Sequence, residues 1–211
     1  MTKASELRDI YDGIFGCRKC RDVVESLHPR EVIPGACDAD LTLMAQAPSE
    51  KGVRLSGVHW VGTDGQVRRP GGTFLDKYLK TVGYSVDPSN NHNRRPYTTN
   101  VLHCWTGRFG KRDRRPSKDE LRRCRHWWEK ELQIVQPRVL VVLGKPASEA
   151  FASVCGIEAK FKELLQDQGE EMTFGNLTVR RFVLPHPTAP YPGKSELYEQ
   201  VFRNVRRFLE D

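Results

Sequence analysis

Four cysteines have the spacing expected of ligands to a metal centre. Cys17 and Cys20 form a C-x2-C pair, and Cys104 and Cys124 follow much later in the chain. Four thiolates suit either a tetrahedral zinc ion or an iron–sulfur cluster, and spacing alone does not separate the two. A disulfide framework is not expected, because the N-terminal segment lacks the apolar stretch of a secretory signal and indicates a cytoplasmic protein.

Three polar residues stand at the ends of predicted strands. Gln46 follows the first of these strands, Asn100 lies in the second, and His186 comes shortly after the fourth. The carboxyl ends of parallel strands meet at one edge of a sheet, and α/β proteins bind their ligands there. We therefore expect Gln46, Asn100 and His186 to converge on one pocket.

Alternating strands and helices must position these side chains. Strands rich in β-branched or large apolar residues are predicted at 41–45, 97–102, 139–143 and 179–184. Helices are predicted at about 5–15, 73–82, 117–135, 145–155 and 196–209. This alternation is typical of an α/β protein with helices on both faces of a mostly parallel sheet. The 211 residues suffice for one domain, and we expect a single domain over 1–211.

The net charge of +7 favours a polyanionic partner such as nucleic acid. Most of the excess lies in residues 108–130, the basic segment, which holds ten Lys and Arg against four Asp and Glu. Aromatic residues are interleaved with these cations, as at nucleic-acid surfaces where bases stack; a solvated helix face is the alternative. A hydrophobic content of 38% excludes a disordered chain, and no apolar run is long enough to span a membrane.

Ten short motifs, in this order, resemble the uracil-DNA glycosylase superfamily, and most closely its family 4 branch. The resemblance covers nearly the whole chain. The motifs are Cys17-x2-Cys20, Val32-Ile33-Pro34-Gly35, Ala45-Gln46-Ala47-Pro48, His59-Trp60-Val61-Gly62, Leu75-Asp76, Thr99-Asn100-Val101-Leu102-His103-Cys104, Pro116 followed by Cys124, Pro137-Arg138-Val139, Leu143-Gly144 with Ala147, and His186-Pro187-Thr188.

The resemblance implies a fold and a cofactor. The fold is a three-layer αβα sandwich around a central four-stranded, mostly parallel sheet. The cofactor is a [4Fe-4S] cluster held by Cys17, Cys20, Cys104 and Cys124, with zinc as the runner-up. The first two of these ligands belong to an N-terminal cluster-binding segment of the single domain.

The resemblance also implies a monofunctional DNA N-glycosylase, a hydrolase acting on a flipped-out base. Breaking an N-glycosidic bond creates an oxocarbenium-like sugar and an anionic base, so a hydrogen-bond donor is needed at the departing base. By the resemblance, His186 is that donor and Asn100 pairs with the Watson–Crick edge. Trp60 replaces the stacking phenylalanine of the family, and the backbone at Gln46 and Ala47 lines the pocket.

The DNA partner, single- or double-stranded, is expected to contact two regions of a monomeric protein. By the resemblance, the loop after His186 enters the duplex, with Tyr191 as a wedge and Lys194 as a phosphate contact. In the basic segment, Arg112, Arg114 and Arg115 are predicted phosphate contacts. No membrane partner is expected.

The motifs of this chain lack two carboxylates of the superfamily. Family 4 members usually have Glu at the position of Gln46, and the best-known branch has Asp at the position of Ala47. Water activation is therefore expected from Glu50 or Asp64, or the reaction depends on leaving-group stabilisation by His186.

The chain also departs from the family around the base pocket. The stretch 62–72 is longer than the short turn of the family and adds Arg68 and Arg69, and Trp105-Thr106 replaces the usual Arg-Pro. These departures leave three hypotheses open. They are excision of uracil in base excision repair, excision of a hypermodified base such as glucosylated hydroxymethylcytosine from phage DNA in antiviral defence, and nucleic-acid binding without catalysis.

Overall fold

The computed structural model describes residues 2–20, 35–49, 52–110, 112–166 and 168–210. A five-stranded sheet forms its centre, with strand order β2-β1-β5-β7-β6. The strands are β1 Leu41–Ala45, β2 Tyr97–Asn100, β5 Val139–Leu143, β6 Glu170–Phe174 and β7 Leu177–Leu184. Two short strands, β3 Arg108–Phe109 and β4 Arg112–Asp113, pair separately as an antiparallel ribbon.

The α/β class and the mostly parallel sheet are confirmed, and all four predicted strands are present. The predicted strand count of four was wrong, because β6 adds an antiparallel edge strand beside β7. Its sequence, Glu-Glu-Met-Thr-Phe, lacks a continuous apolar run because an edge strand is half exposed to water. A two-residue Gly175-Asn176 turn joins β6 to β7, with Gly175 at φ +58°.

Helices cover both faces of the sheet. They are α1 Lys3–Gly16, α2 Val53–Ser56, α3 Gly71–Leu79, α4 Lys118–Val135, α5 Lys145–Val154, α6 Phe161–Leu164 and α7 Lys194–Glu210, and a 3-10 turn over Lys80–Val82 follows α3. Helices α3 and α7 pack on one face, whereas α4, α5 and α6 pack on the other, with α1 against α4. None of the described helices is long and apolar enough to cross a bilayer.

Strand alternation divides the core into these two layers. Leu43 and Val141 contribute to the core beneath α3 and α7, whereas Met44 and Val142 contribute to the core beneath α4 and α5. Because β1 and β5 are buried on both faces, their sequences are continuously apolar, which is why their predicted bounds match the observed ones. The same burial fixes where these strands end, and polar residues such as Gln46 follow at the carboxyl edge of the sheet.

Candidate active site

The carboxyl ends of β1, β2 and β7 open on one cavity of about 340 Å³, here called the base cavity. Gln46, Asn100 and His186 all line it, together with Trp60 and Ala47. Parallel pairing brings them together, since Ala45 stands opposite Asn100 and the Val101 N–H donates to the Ala45 carbonyl. The structure thus places at one cavity every residue predicted for the base pocket, while their chemical roles stay predictions.

The hydrogen bonds of His186 define its tautomer. The Thr188 backbone N–H donates to Nδ1 over 3.3 Å, and the Thr188 hydroxyl lies 2.8 Å from the same nitrogen. A backbone N–H can only donate, so Nδ1 is the acceptor and the neutral ring carries its proton on Nε2. Burial, with a smaller effect from Lys194, lowers the pKa of His186 to about 4. His186 is therefore a neutral Nε2–H donor at physiological pH.

Asn100 and Trp60 complete the recognition face of the cavity. Asn100 is only 3% exposed, and no hydrogen bond joins its side-chain amide to the part of the chain that the structure describes. The Trp60 ring lies 5.7 Å from the His186 ring at an interplanar angle of 32°. Trp60 has a φ of +66°, a strained value for an aromatic residue. Gly72 leaves room for the Trp60 backbone, because a Cβ at position 72 would lie 2.9 Å from the Trp60 carbonyl oxygen.

Sequence reasoning missed two ionisable residues that line the base cavity, His59 and Asp113. His59 stands inside a recognised motif, but nothing in the sequence showed that its ring is buried. Asp113 comes from the ribbon β3–β4, which folds back over the cavity through contacts distant in sequence. Arg68 and Arg69, predicted to alter the pocket, line the base cavity and also an adjoining cavity of about 850 Å³.

The two carboxylates expected to activate water are placed differently. Asp64 lines the adjoining cavity instead of the base cavity, and its Oδ1 accepts the Gln66 N–H over 3.0 Å. Glu50 lies outside the described residues, as does the motif segment Val32-Ile33-Pro34.

His59 predicts an acid-dependent loss of stability. The ring is 8% exposed, and burial lowers its pKa from 6.5 to about 4. Because the unfolded chain takes up the proton first, the contribution of His59 to stability is complete above about pH 6.5 and is lost as the pH falls towards 4. When the pH falls from 7 to 5, the free energy of unfolding of the unsubstituted protein is expected to decrease by about 2 kcal/mol more than that of His59→Asn.

Urea denaturation of both proteins at the two pH values measures this difference. The exposed His92, changed to Asn, provides the control. Equal losses in His59→Asn and the unsubstituted protein would show that His59 does not titrate differently on unfolding.

Two of the five predicted DNA contacts are exposed at the surface. Tyr191 is 38% exposed and Arg115 is exposed. The Lys194 ammonium donates to the carbonyls of Pro187 (2.8 Å) and Ala189 (2.9 Å), so it holds the loop that follows His186.

The guanidinium of Arg114 forms a two-pronged ion pair with Glu120 at 2.5 and 3.0 Å. The side chain of Arg112 lies outside the described residues. DNA contact by these arginines, by Lys194 and by Tyr191 stays a prediction.

The four predicted ligand cysteines share a second, small cavity. Cys17, Cys20, Cys104 and Cys124 all line it, and no disulfide joins any two of them. They come from the end of α1, the exit of β2 and the helix α4, so three separate elements meet there. Among the described residues, no three His, Cys, Asp or Glu side chains are grouped closely enough to hold one metal ion.

The surroundings of these thiols suit a positively charged group. Burial, together with repulsion from the neighbouring thiols of Cys124, Cys20 and Cys17, raises the pKa of Cys104 to about 12. The backbone N–H of His103 donates to Cys124 Sγ over 3.3 Å, as hydrogen bonds to a ligand sulfur do. Four thiolates would repel one another here, and a bound cation or cluster would remove that repulsion.

A buried polar network connects this cysteine cavity to β2, because His103 lines the cavity and Tyr97 and Thr99 belong to β2. Glu131 is fully buried, and its carboxylate accepts the hydroxyls of Tyr11 at 2.7 Å and Tyr97 at 2.8 Å. His103 Nε2 lies 2.8 Å from the same carboxylate, and the Thr99 hydroxyl donates to it as well. Burial alone would raise the pKa of Glu131, but His103 and these hydrogen bonds lower it. The network fixes the strand that carries Asn100 against α4.

Comparison with known proteins identifies the family. The sequence profile described as "Uracil DNA glycosylase superfamily" matches residues 34–209. A type-4 uracil-DNA glycosylase of Archaeoglobus fulgidus is 25% identical over 205 residues, covering 94% of this chain and 91% of the relative. One of Sulfurisphaera tokodaii is 23% identical over 207 residues, covering 95% and 83%. The chain belongs to the uracil DNA glycosylase superfamily.

Proposed function

We propose that the protein hydrolyses the N-glycosidic bond of a flipped-out base in DNA, most simply uracil, and leaves an abasic site. The observation that carries this proposal is the set of side chains that line the base cavity, namely the Asn100 amide, the His186 Nε2–H donor and the Trp60 ring. The names of both relatives, type-4 uracil-DNA glycosylases, support the same substrate.

Each of these groups has a task that follows from its chemistry. The Asn100 amide offers one donor and one acceptor side to the Watson–Crick edge of a planar base. The Trp60 ring offers a stacking surface to the same base. His186 donates from Nε2 to a base oxygen as negative charge builds there, and it does so without giving up its proton.

The reaction is proposed to be simple hydrolysis. A glycosylase that also cuts the DNA strand needs an amine to form a Schiff base with the sugar. No lysine is among the described residues that line the base cavity. This supports a monofunctional enzyme.

The DNA is proposed to cross the ribbon β3–β4 and the start of α4. Asp113 of the ribbon lines the base cavity, so the basic segment begins at the cavity rim. Phe109 on the ribbon is 83% exposed and offers an aromatic face beside the exposed Arg115 and Lys118. His186 lines the same cavity, and Tyr191 lies on the loop that follows it.

The cysteine cavity is proposed to hold a [4Fe-4S] cluster through Cys17, Cys20, Cys104 and Cys124. When bound, the cluster supplies four iron–sulfur bonds that crosslink α1, the exit of β2 and α4. The Leu102 N–H, two residues before Cys104, donates to the Gln46 carbonyl over 3.1 Å. The cysteine cavity and the base cavity are therefore joined through one short segment.

One observation favours a second candidate substrate. The adjoining cavity of about 850 Å³ shares Arg68 and Arg69 with the base cavity and is lined by polar side chains, among them Asp64, Gln66 and Thr73. A base that carries a polar substituent could extend into it. A hypermodified cytosine such as glucosylated hydroxymethylcytosine is the alternative substrate, which would make the protein an antiviral glycosylase.

Incubation with labelled oligonucleotides, followed by alkali, tests the function. Single- and double-stranded DNA with one uracil is compared with the same DNA carrying thymine and with phage DNA containing glucosylated hydroxymethylcytosine. Cleavage at uracil alone is expected. Cleavage of the phage DNA alone would replace uracil by the modified base, and binding without cleavage of any DNA would contradict glycosylase activity.

A further inference from the structure

We propose that Asp113 is the carboxylate that orients the attacking water and accepts its proton. This inference rests on the proposed glycosylase function and assigns a role that no motif residue fills. Among the described residues lining the base cavity, Asp113 is the one carboxylate. It reaches the cavity from the ribbon β3–β4, far in sequence from the two positions where the superfamily carries its motif carboxylates.

Hydrogen bonding holds one side of this carboxylate and leaves the other available. The Trp105 indole Nε1–H donates to Asp113 Oδ1 over 2.9 Å. The second oxygen, Oδ2, has no hydrogen-bond or ion-pair partner in the described ranges of the chain. A carboxylate fixed through one oxygen can present the other to a water molecule in a defined direction.

The residue after Asp113 is anchored in several directions. The Arg114 N–H donates to the Gly107 carbonyl over 2.9 Å, and its guanidinium is bound by Glu120. The Arg114 carbonyl accepts the Thr106 hydroxyl and, over 3.4 Å, the Gln46 side-chain amide. These contacts set the position of the ribbon at the cavity rim.

The contact from Gln46 accounts for the missing motif carboxylate. An amide can donate to the Arg114 carbonyl, whereas a glutamate at position 46 would only accept and would repel both that carbonyl and Asp113. Gln46 is thus a positioning residue that ties the end of β1 to the strand carrying Asp113. In this chain the carboxylate is supplied by Asp113 of the ribbon, and Gln46, at the motif position, helps to hold that ribbon in place.

The proposed step balances as follows. The water oxygen forms a bond to C1′ of the deoxyribose while the C1′–N bond breaks. The electron pair of the C1′–N bond leaves with the base. One water proton passes to Asp113 and then to solvent. The base departs as an anion that accepts a hydrogen bond from His186 Nε2–H and later takes a proton from solvent. The negative charge of Asp113 also stabilises the oxocarbenium-like sugar.

Single-turnover excision of uracil tests the assignment, with DNA affinity measured in parallel. Asp113→Asn is expected to lower the rate at saturating enzyme by about 10²-fold or more while DNA affinity changes by less than about threefold. Asp9→Asn is the matched control, because it makes the same charge change on an exposed residue of α1, outside the base cavity and outside the basic segment. Its rate is expected to match the unsubstituted protein.

Chemical rescue gives a readout that a structural role would not move. Formate is expected to restore part of the rate of Asp113→Ala, because a small carboxylate can occupy the space of the missing one, and it is expected to leave Asp9→Ala unchanged. An Asp113→Asn rate equal to that of the unsubstituted protein would overturn the assignment. An unsubstituted protein that excises no base would instead overturn the proposed function, and this assignment with it.

Trp105→Phe tests the positioning contact. The variant keeps the aromatic packing near the cysteine cavity but loses the Nε1–H donor. We expect a rate loss of about tenfold, and no further loss when Trp105→Phe is added to Asp113→Asn, since both act through one group. Additive losses in the double variant would show that Trp105 acts independently of Asp113.

Discussion

His186→Ala is expected to lower the single-turnover rate of uracil excision by about 10²- to 10³-fold, the usual cost of removing one donor from a site of developing negative charge. The reason is geometric. Thr188 holds Nδ1 from one side, so the only proton of the neutral ring lies on Nε2, in a ring that lines the base cavity. Alanine removes that donor and leaves Asn100 and Trp60 in place, so DNA affinity is expected to change little.

The pH dependence of the same reaction tests the charge state of His186. Because the pKa of the ring is lowered to about 4, it stays neutral from pH 5 to pH 9 and its donor strength is constant over that range. His92→Ala, an exposed histidine in a polar loop, serves as the control variant. Two results would contradict a neutral donor. One is an unchanged rate in His186→Ala. The other is a rate that changes between pH 6 and 7 in the unsubstituted protein and in His92→Ala, but not in His186→Ala.

Much of the base cavity could be predicted from sequence because it depends on the sheet. The apolar runs of β1 and β5 are buried on both faces, which makes them continuous in sequence and fixes where they end. The rule that ligands bind at the carboxyl edge then places Gln46 and Asn100 together. No knowledge of loop structure is needed for that step.

The features that sequence reasoning missed depend on long-range contacts or on exposed edges. Glu170 and Glu171 of β6 form ion pairs with arginines of β7, so the edge strand is charged and shows no apolar pattern. Its one local signal was the Gly175-Asn176 turn. Asp113 lines the cavity from a ribbon whose contacts include the hydrogen bond from Gln46 to Arg114, 68 positions away, and local propensity contains no information about such a contact.

The polar network around Glu131 was missed for a related reason. In sequence, Glu131 is one of several charges on a helix that is rich in them. In the structure it is fully buried and satisfied by hydroxyl groups and the His103 ring, which come from α1 and from β2 and the loop that follows it. A buried charge can be distinguished from a solvated one only when its partners are known.

The second large effect is expected at the cysteine cavity. Cys104→Ser should reduce bound iron from about four atoms per chain to less than about one, and should lower the melting temperature by at least about 10 °C. The cluster would crosslink three elements that otherwise meet around four mutually repelling thiols, so its loss removes binding energy that stabilises the fold. Iron and sulfide analysis of anaerobically purified protein, with thermal unfolding, measures both effects.

Cys155→Ser is the matched control, because this half-buried thiol does not line the cysteine cavity. It should retain iron and the brown colour of the unsubstituted protein. A colourless protein with one zinc per chain would replace the cluster by zinc at the same ligands. Loss of iron should also reduce excision, since Leu102, beside these ligands, donates to Gln46 and so connects the cysteine cavity to the residue that supports Asp113. An iron-free variant with full activity would show that the base cavity keeps its geometry without that crosslink.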